Sequence, residues 1–407
     1  MSNKSVICII RTPLPSSSRE EACLFLRDLV EMFIPITHKI YVVTANAPKE
    51  EVLRFVSGRE GKIKFINPDL KKEYERGHIF LVSFFIWCFK HLKIQMRMSF
   101  DVYKIIRGID IAFFYTGYPW LLSPMAIFKL FRKKVVILET GSLLQAQDVI
   151  RELKDEPFFK ETSMQNNIFM LVLNLLENIS FFLADYIIPE SRTIGLSRRF
   201  SKYKKKILPP LARFVRLEKF NIIKSTSQKD KTIGYIGRFS WEKGITNFVN
   251  AIPLIAKEAR DAKFILVGDG PLYPYAVDLV KDHGFNNKVI FKGWVSHQEI
   301  PHILNEMKLI VCPSYVEGLS TLLLEAMACG SIAITTPVGG VLDVIKEGET
   351  GYLLEDNSPP CISSKVVSAL KSRELDKIAK NARSLIEENY TFLAAVQRAQ
   401  DTIQKIS

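Results

Sequence analysis

A chain of 407 residues, 47% hydrophobic and 24% charged, is long enough for two domains of ordinary size, and its composition argues against a disordered or low-complexity polypeptide. The six cysteines (Cys8, Cys23, Cys88, Cys312, Cys329 and Cys361) form no C-x-x-C pair, which argues against a disulfide framework or a zinc site and for reduced thiols in the cytoplasm. The net charge of +13 is one-sided: residues 1–215 hold 33 Lys+Arg against 21 Asp+Glu, whereas residues 216–407 hold 23 against 22.

In chain order, the N-terminal VICII run is too short for a signal peptide and reads as a first strand. Short apolar runs then alternate with helical patterns. Predicted strands are Val6–Ile10, Ile40–Thr44, Ile63–Ile66, Ile111–Tyr115, Val135–Leu138 and Tyr186–Pro189 in the first half. Those of the second half are Thr232–Gly237, Lys263–Gly268, Val289–Lys292, Leu309–Cys312, Ile332–Thr335 and Tyr352–Leu354. Arg19–Phe33 and Trp241–Glu258 are among the helices between them. The alternation predicts an α/β protein of two doubly wound parallel sheets, whose ligands bind beyond the carboxyl ends of the strands. Expected domains are 1–206 and 232–407, with 207–231 as linker and the last helix packing back on the first domain.

Two apolar segments bear on membranes. Ile79–Phe89 is too short to span a bilayer and is either a buried helix or an interfacial one. Ile168–Ala184 approaches spanning length, but Asn174, Glu177 and Asn178 interrupt it, so a core helix is expected and no transmembrane span. Two basic stretches, Lys90–Arg107 and Arg198–Lys206, suit solubilisation or an anionic surface, such as a membrane face. RRFSKYKKK has no groove-reading module around it, so nucleic acid is the weaker partner. The six histidines show no ligand spacing and are taken as structural or surface residues.

Leu309–Leu354 carries the most chemistry. A buried strand leads to a loop with Glu317 and Gly318, and a helix from about Ser320 stops at Gly330. A helix N-terminus beyond a strand end turns unpaired N–H groups and a positive dipole end toward the crevice, which suits a diphosphate. Gly318 leaves room for a ligand near the backbone. Cations at a helix start, such as Arg238 and Lys243, oppose the dipole unless an anion is near. On spacing alone, Glu317 reads better as a solvent-facing loop acid and Glu325 as a half-exposed helix residue.

The E-x7-E spacing of Glu317 and Glu325 within EGLSTLLLEAMACG resembles the signature of glycosyltransferase family 4, retaining enzymes of the GT-B fold. Val338–Gly340, Asp343–Val344 and EGETGYLL fit the same pattern, as do IGYIGRFSWEKGI (Ile233–Ile245), ILVGDGP (Ile265–Pro271) and VIFKGWV (Val289–Val295). The resemblance implies two Rossmann-like domains facing across a cleft and a donor site in the second. In that site Arg238 and Lys243 meet the diphosphate, helped by Gly237, Gly318, Leu319, Ser320, Thr321 and Leu322. Glu325 meets the ribose and Glu317 lies near the sugar. Trp294 and Val295 contact the base, although Trp294 reads almost equally well as a core residue. No D-x-D triplet occurs, so neither a metal nor a cofactor is expected.

The first half departs from that family. The loop Arg11–Glu20 lacks the usual glycines, leaving Arg11, Ser16, Ser17 and Arg19 as acceptor-side candidates. Where many members have a histidine near the sugar, this chain has Glu139, Thr140, Gly141 and Ser142; either Thr140 or Ser142 makes the sugar contact, or the donor differs, or activity is impaired, and Glu139 is a candidate acceptor-side base. Gly117 and Tyr118 are secondary candidates. The expected function is retaining transfer from a UDP- or GDP-sugar to a glycan or lipid-linked acceptor at the cytoplasmic membrane face. The alternative is a catalytically impaired nucleotide-sugar-binding partner subunit.

Overall fold

The computed structural model describes residues 5–11, 19–44, 58–59, 61–66, 92, 95–116, 121–139, 165–211 and 213–407. Contacts divide the chain into two compact units. Unit 1 comprises Met1–Glu190, Gly195–Leu211 and Val396–Ser407, and unit 2 comprises Ser191–Ile194 and Ala212–Ala395.

Unit 1 is built on six parallel strands: β1 (Val6–Arg11), β2 (Lys39–Val43), β3 (Ile63–Ile66), β4 (Ile111–Thr116), β5 (Lys134–Glu139) and β6 (Tyr186–Ile188). Their order is β3-β2-β1-β4-β5-β6, with Ile9 paired to Val42 on one side and Phe113 on the other. Ile7, Ile9, Phe113 and Val136 are wholly buried, as expected where helices cover both faces of a parallel sheet. The right-handed crossover rule puts the Arg19–Phe33 helix on one face. The same rule puts helical residues 95–105 and the helices Leu122–Leu130 and Gln165–Leu183 on the other.

Unit 2 repeats the plan with β7 (Thr232–Ile236), β8 (Lys263–Val267), β9 (Val289–Gly293), β10 (Leu309–Cys312), β11 (Ile332–Thr335) and β12 (Tyr352–Leu353). The order is β12-β11-β10-β7-β8-β9, all parallel. Alternate residues of one strand feed separate cores, because the side chains of a strand point to opposite faces. Leu309 and Val311 join Phe248, Phe264 and Ile362 in one cluster, while Ile310 joins Leu323, Met327 and Ile386 in the other. Truncating one of these leucines to alanine is expected to cost about 2–5 kcal/mol. The two α/β sheets expected from the sequence are present, and each strand falls within about two residues of its predicted bounds.

The Gln165–Leu183 helix corrects the expectation of a fully packed core helix. Glu177, Ser180 and Phe181 are buried, but Leu171, Leu175 and Phe182 are 70%, 60% and 74% exposed. Among the described residues no helix is long and apolar enough to cross a membrane. The Ile79–Phe89 segment lies outside the described residues.

The basic run Arg198–Lys206 is a 3-10 helix, and two of its charges are used internally. Lys206 Nζ donates to the carbonyls of Phe181, Phe182 and Ala184 at 3.1, 2.8 and 2.6 Å, capping the end of the Gln165–Leu183 helix. Arg199 bridges two carboxylates, with Nη1 2.9 Å from Glu139 Oε1 and Nε donating to Glu177 Oε2 at 3.0 Å. Two acids sharing one guanidinium leave a buried negative charge uncompensated. Burial therefore pushes Glu139 up to about 7, against the opposing pull of Arg199.

Candidate functional site

In unit 2 the neighbours β7 and β10 lead outward in opposite senses, toward β8 and β9 on one side and β11 and β12 on the other. Loops leaving two such strands part to opposite faces and open a crevice at their carboxyl ends. The loop after β7 begins at Gly237, whose N–H donates to Val267 O at 3.0 Å. The Tyr235 hydroxyl donates to Arg238 O at 2.8 Å, and the Arg238 side chain is exposed. A 3-10 turn, Trp241–Lys243, then delivers Lys243.

Two glycines bring this loop against the loop after β10. Gly244 has φ 66°, and a Cβ there would stand 2.1 Å from Pro313 O, so only glycine permits the approach. Gly339 has φ 57°, and a Cβ there would lie 1.7 Å from Glu317 O. Gly340 N donates to Gly318 O at 2.8 Å, so the Val338–Gly340 turn supports the Glu317–Gly318 loop from behind. The result is an ion pair: Lys243 Nζ is 2.7 Å from Glu317 Oε2, which also accepts from Ser314 Oγ at 3.3 Å. Burial alone would push Lys243 down, but the Glu317 carboxylate, with Glu242 nearby, opposes this and the ammonium is held above its ordinary value.

Four residues beyond Glu317 the helix Thr321–Ala328 begins. Ser320 is extended and its hydroxyl accepts from Leu323 N at 3.4 Å, an N-cap that leaves the N–H groups of Thr321 and Leu322 without intrahelical partners. Gly318, Thr321 and Leu322 are half-buried. Leu319 is 2% exposed and packs in the core, so only its backbone is available to the loop.

Glu325 sits one turn further on at 4% exposure, and its Oε1 is 2.7 Å from His297 Nε2. The His297 ring lies 5.5 Å from that of Phe220. The sequence reading gave the histidines no ligand spacing and missed this partner, which lies 28 residues away on another loop. A second missed residue is Arg213, within the expected linker, whose Nη1 donates to Thr321 Oγ1 at 2.7 Å. A guanidinium at a helix N-terminus opposes the dipole, the same signature that singled out Lys243.

Trp294 follows Gly293 at the end of β9 and is 63% exposed, so the core reading of this side chain is corrected. Val295 packs against the core. The structure thus joins Lys243 with Glu317 directly, while Arg238 and Trp294 keep exposed side chains. Asp343 accepts from Arg192 N and from the Thr193 hydroxyl, both at 2.6 Å, and so holds the Ser191–Ile194 segment. In unit 1, Arg19 opens its helix. Ser16, Ser17, Thr140 and Ser142, with Gly117, Tyr118 and Gly141, lie outside the described residues. Glu139 ends β5 and is engaged by Arg199.

A family described as "Glycosyl transferases group 1" matches residues 218–385. The alpha-D-kanosaminyltransferase of Streptomyces kanamyceticus is 32% identical over 162 residues, a match that spans 40% of this chain and only 42% of that protein. An uncharacterized glycosyltransferase of Methanocaldococcus jannaschii is 25% identical over 386 residues, 91% of this chain and 90% of that protein. The crystal structure of Anabaena HepE in complex with UDP superposes with a TM-score of 0.70 at 15% identity, covering 98% of this chain and 99% of that one. That likeness shows the fold, two Rossmann-like domains of the GT-B kind.

Proposed function

Because residues 218–385 form a glycosyl transferases group 1 domain, we propose that this chain is a retaining, metal-independent glycosyltransferase that takes a sugar from a UDP- or GDP-linked donor. The observation that carries the reading is the Lys243–Glu317 pair at the strand switch point, beside the N-terminus of the Thr321–Ala328 helix. Breaking the bond between the anomeric carbon and the diphosphate places negative charge on the leaving phosphate. Lys243, Arg238 and the free N–H groups of Thr321 and Leu322 supply fixed positive charge where it develops, with Gly237 and Gly318 leaving the backbone open. Glu317, held by Lys243 and Ser314, faces the electron-poor sugar. Glu325 accepts from the ribose, and Trp294 with Val295 meets the base. UDP, which HepE binds, is the first nucleotide to test.

The acceptor is a glycan or lipid-linked saccharide at the cytoplasmic membrane face, a reading supported by the basic first half. The test is release of nucleoside diphosphate across a panel of UDP- and GDP-sugars, with and without acceptors. Release that disappears in Lys243→Ala and Glu317→Ala supports the enzyme. Tight nucleotide binding without release from any donor supports instead the catalytically impaired, nucleotide-sugar-binding partner subunit.

A further inference from the structure

Unit 1 carries an exposed apolar layer that catalysis in unit 2 does not explain. Helical residues 95–105, the Leu122–Leu130 helix, the Gln165–Leu183 helix and the Arg198–Lys206 turns lie side by side. Ser99 Oγ is 2.9 Å from Ser123 Oγ, and the rings of Tyr103 and Phe131 are 5.8 Å apart. Lys129 Nζ meets Asp185 Oδ1 at 2.6 Å, which joins the ends of the next two helices. The Tyr203 hydroxyl reaches Asn178 Oδ1 at 3.2 Å, and the rings of Phe181 and Phe200 are 5.4 Å apart. The three helices each bury one side, through Met98 and Val102, Met125 and Phe128, and Ser180 and Phe181, and the Arg198–Lys206 turns bury Phe200. Their remaining sides form one outer surface.

That surface is apolar in two parallel stripes. Met96, Phe100 and Tyr103, at i, i+4 and i+7, are 63%, 59% and 57% exposed. Leu171, Leu175 and Phe182, at i, i+4 and i+11, fall on one narrow helix face and are all exposed. Leu130, 79% exposed, stands between the stripes, next to the Lys129–Asp185 contact. Single exposed leucines are ordinary, but seven large apolar side chains exposed on neighbouring helices mark an interaction surface.

The charges around it choose the partner. Arg97, Lys104 and Arg107 are exposed along the first stripe, with Lys104 Nζ 4.1 Å from the centre of the Phe100 ring. Lys202, Lys204 and Lys205 are exposed beside the second, where Ser201–Lys206 line a shallow concavity. An apolar, aromatic-bearing face with lysine and arginine on both flanks matches the hydrocarbon boundary and phosphate headgroups of an anionic bilayer. A second protein would have to match the same basic rim with its own acids. We propose that unit 1 docks on an anionic lipid surface through the outer faces of these helices. This locates on unit 1 the membrane contact that the proposed acceptor implies, but it does not rest on sugar transfer itself.

The test is flotation of the full chain with vesicles of pure phosphatidylcholine and with vesicles containing 30% phosphatidylglycerol, at low and high salt. Wild-type protein is expected to float with the anionic vesicles at low salt and to be released by high salt. Two variants are compared with it: Leu171→Ser/Leu175→Ser/Phe182→Ser and Lys202→Gln/Lys204→Gln/Lys205→Gln. The lysine variant alters only exposed side chains and serves if the apolar one does not fold. Three lysines at a lipid surface correspond to a loss on the order of a hundredfold in partitioning. Unchanged partitioning of a folded variant overturns the proposal, as does failure of wild type to float. Sedimentation showing a wild-type dimer that the apolar variant disrupts, with no flotation, also overturns it and assigns the patch to self-association.

Discussion

Lys243 Nζ lies 2.7 Å from Glu317 Oε2, although the two residues leave different strands, β7 and β10, and are 74 positions apart. The pair is made possible by glycine at 244 and at 339, where any side chain would meet backbone. Each charge offsets the other; in the proposed donor complex the diphosphate gives Lys243 a second anion while Glu317 stays beside the sugar.

Removing the ammonium leaves Glu317 half-buried without its cation and takes one positive group from the leaving phosphate. Lys243→Ala is expected to lower turnover of the best donor roughly 10²–10³-fold. Lys243→Arg keeps the charge but not the geometry and is expected to fall between the two. Steady-state release of nucleoside diphosphate measures both, and activity within twofold of wild type in Lys243→Ala would remove Lys243 from the mechanism.

Glu325 and His297 form a pair, so their effects on nucleotide binding should not add. Glu325→Ala is expected to weaken UDP or GDP binding by about 1.5–3 kcal/mol, the value of a hydrogen bond to a charged group. His297→Ala costs less, and the double variant shows a coupling of about 1 kcal/mol. Calorimetric titration of the four proteins gives the cycle; simple additivity would mean that His297 does not orient the acid.

Gly339→Ala forces a Cβ onto Glu317 O in left-handed backbone. The expected loss is about 1–3 kcal/mol of stability together with most of the activity, because the loop that carries Glu317 must shift. Urea denaturation and donor turnover report the two parts separately. A folded variant of normal stability and rate would show that the turn does not set the loop.

Much of this was legible beforehand. Strand bounds followed from short apolar runs, and Glu317, Gly318 and Lys243 from the motifs around them, because motif glycines and strand ends act locally. His297 and Arg213 escaped because their contacts with Glu325 and Thr321 span 28 and 108 residues and leave no local spacing. The Arg198–Lys206 run read as a uniform basic patch, whereas folding uses Arg199 and Lys206 internally and leaves Lys202, Lys204 and Lys205 outside. The Gln165–Leu183 helix misled in the opposite way: its apolar content suggested burial, but Leu171, Leu175, Ile179 and Phe182 are exposed.

Glu139 makes a pH prediction. Burial raises it from 4.5 to about 7, so between these values the folded state holds a proton that the unfolded state has released. Stability therefore falls as pH rises from about 4.5 to about 7 and is then level with respect to this group. Glu139→Gln leaves Arg199 paired with Glu177 alone and is expected to reduce that slope, without loss of stability above pH 7. Urea midpoints across the range decide it, and an unchanged slope in the variant would contradict the assignment.

The central claim is that the carboxyl-end loops of β7 and β10 bind the diphosphate of a nucleotide-sugar donor. A crystal of the full chain soaked in turn with UDP and GDP tests it most directly. One nucleotide is expected with its phosphates against Lys243, Arg238 and the N–H groups of Thr321 and Leu322, and its ribose on Glu325. A nucleotide seated elsewhere at saturating concentration, or neither nucleotide bound, would contradict it.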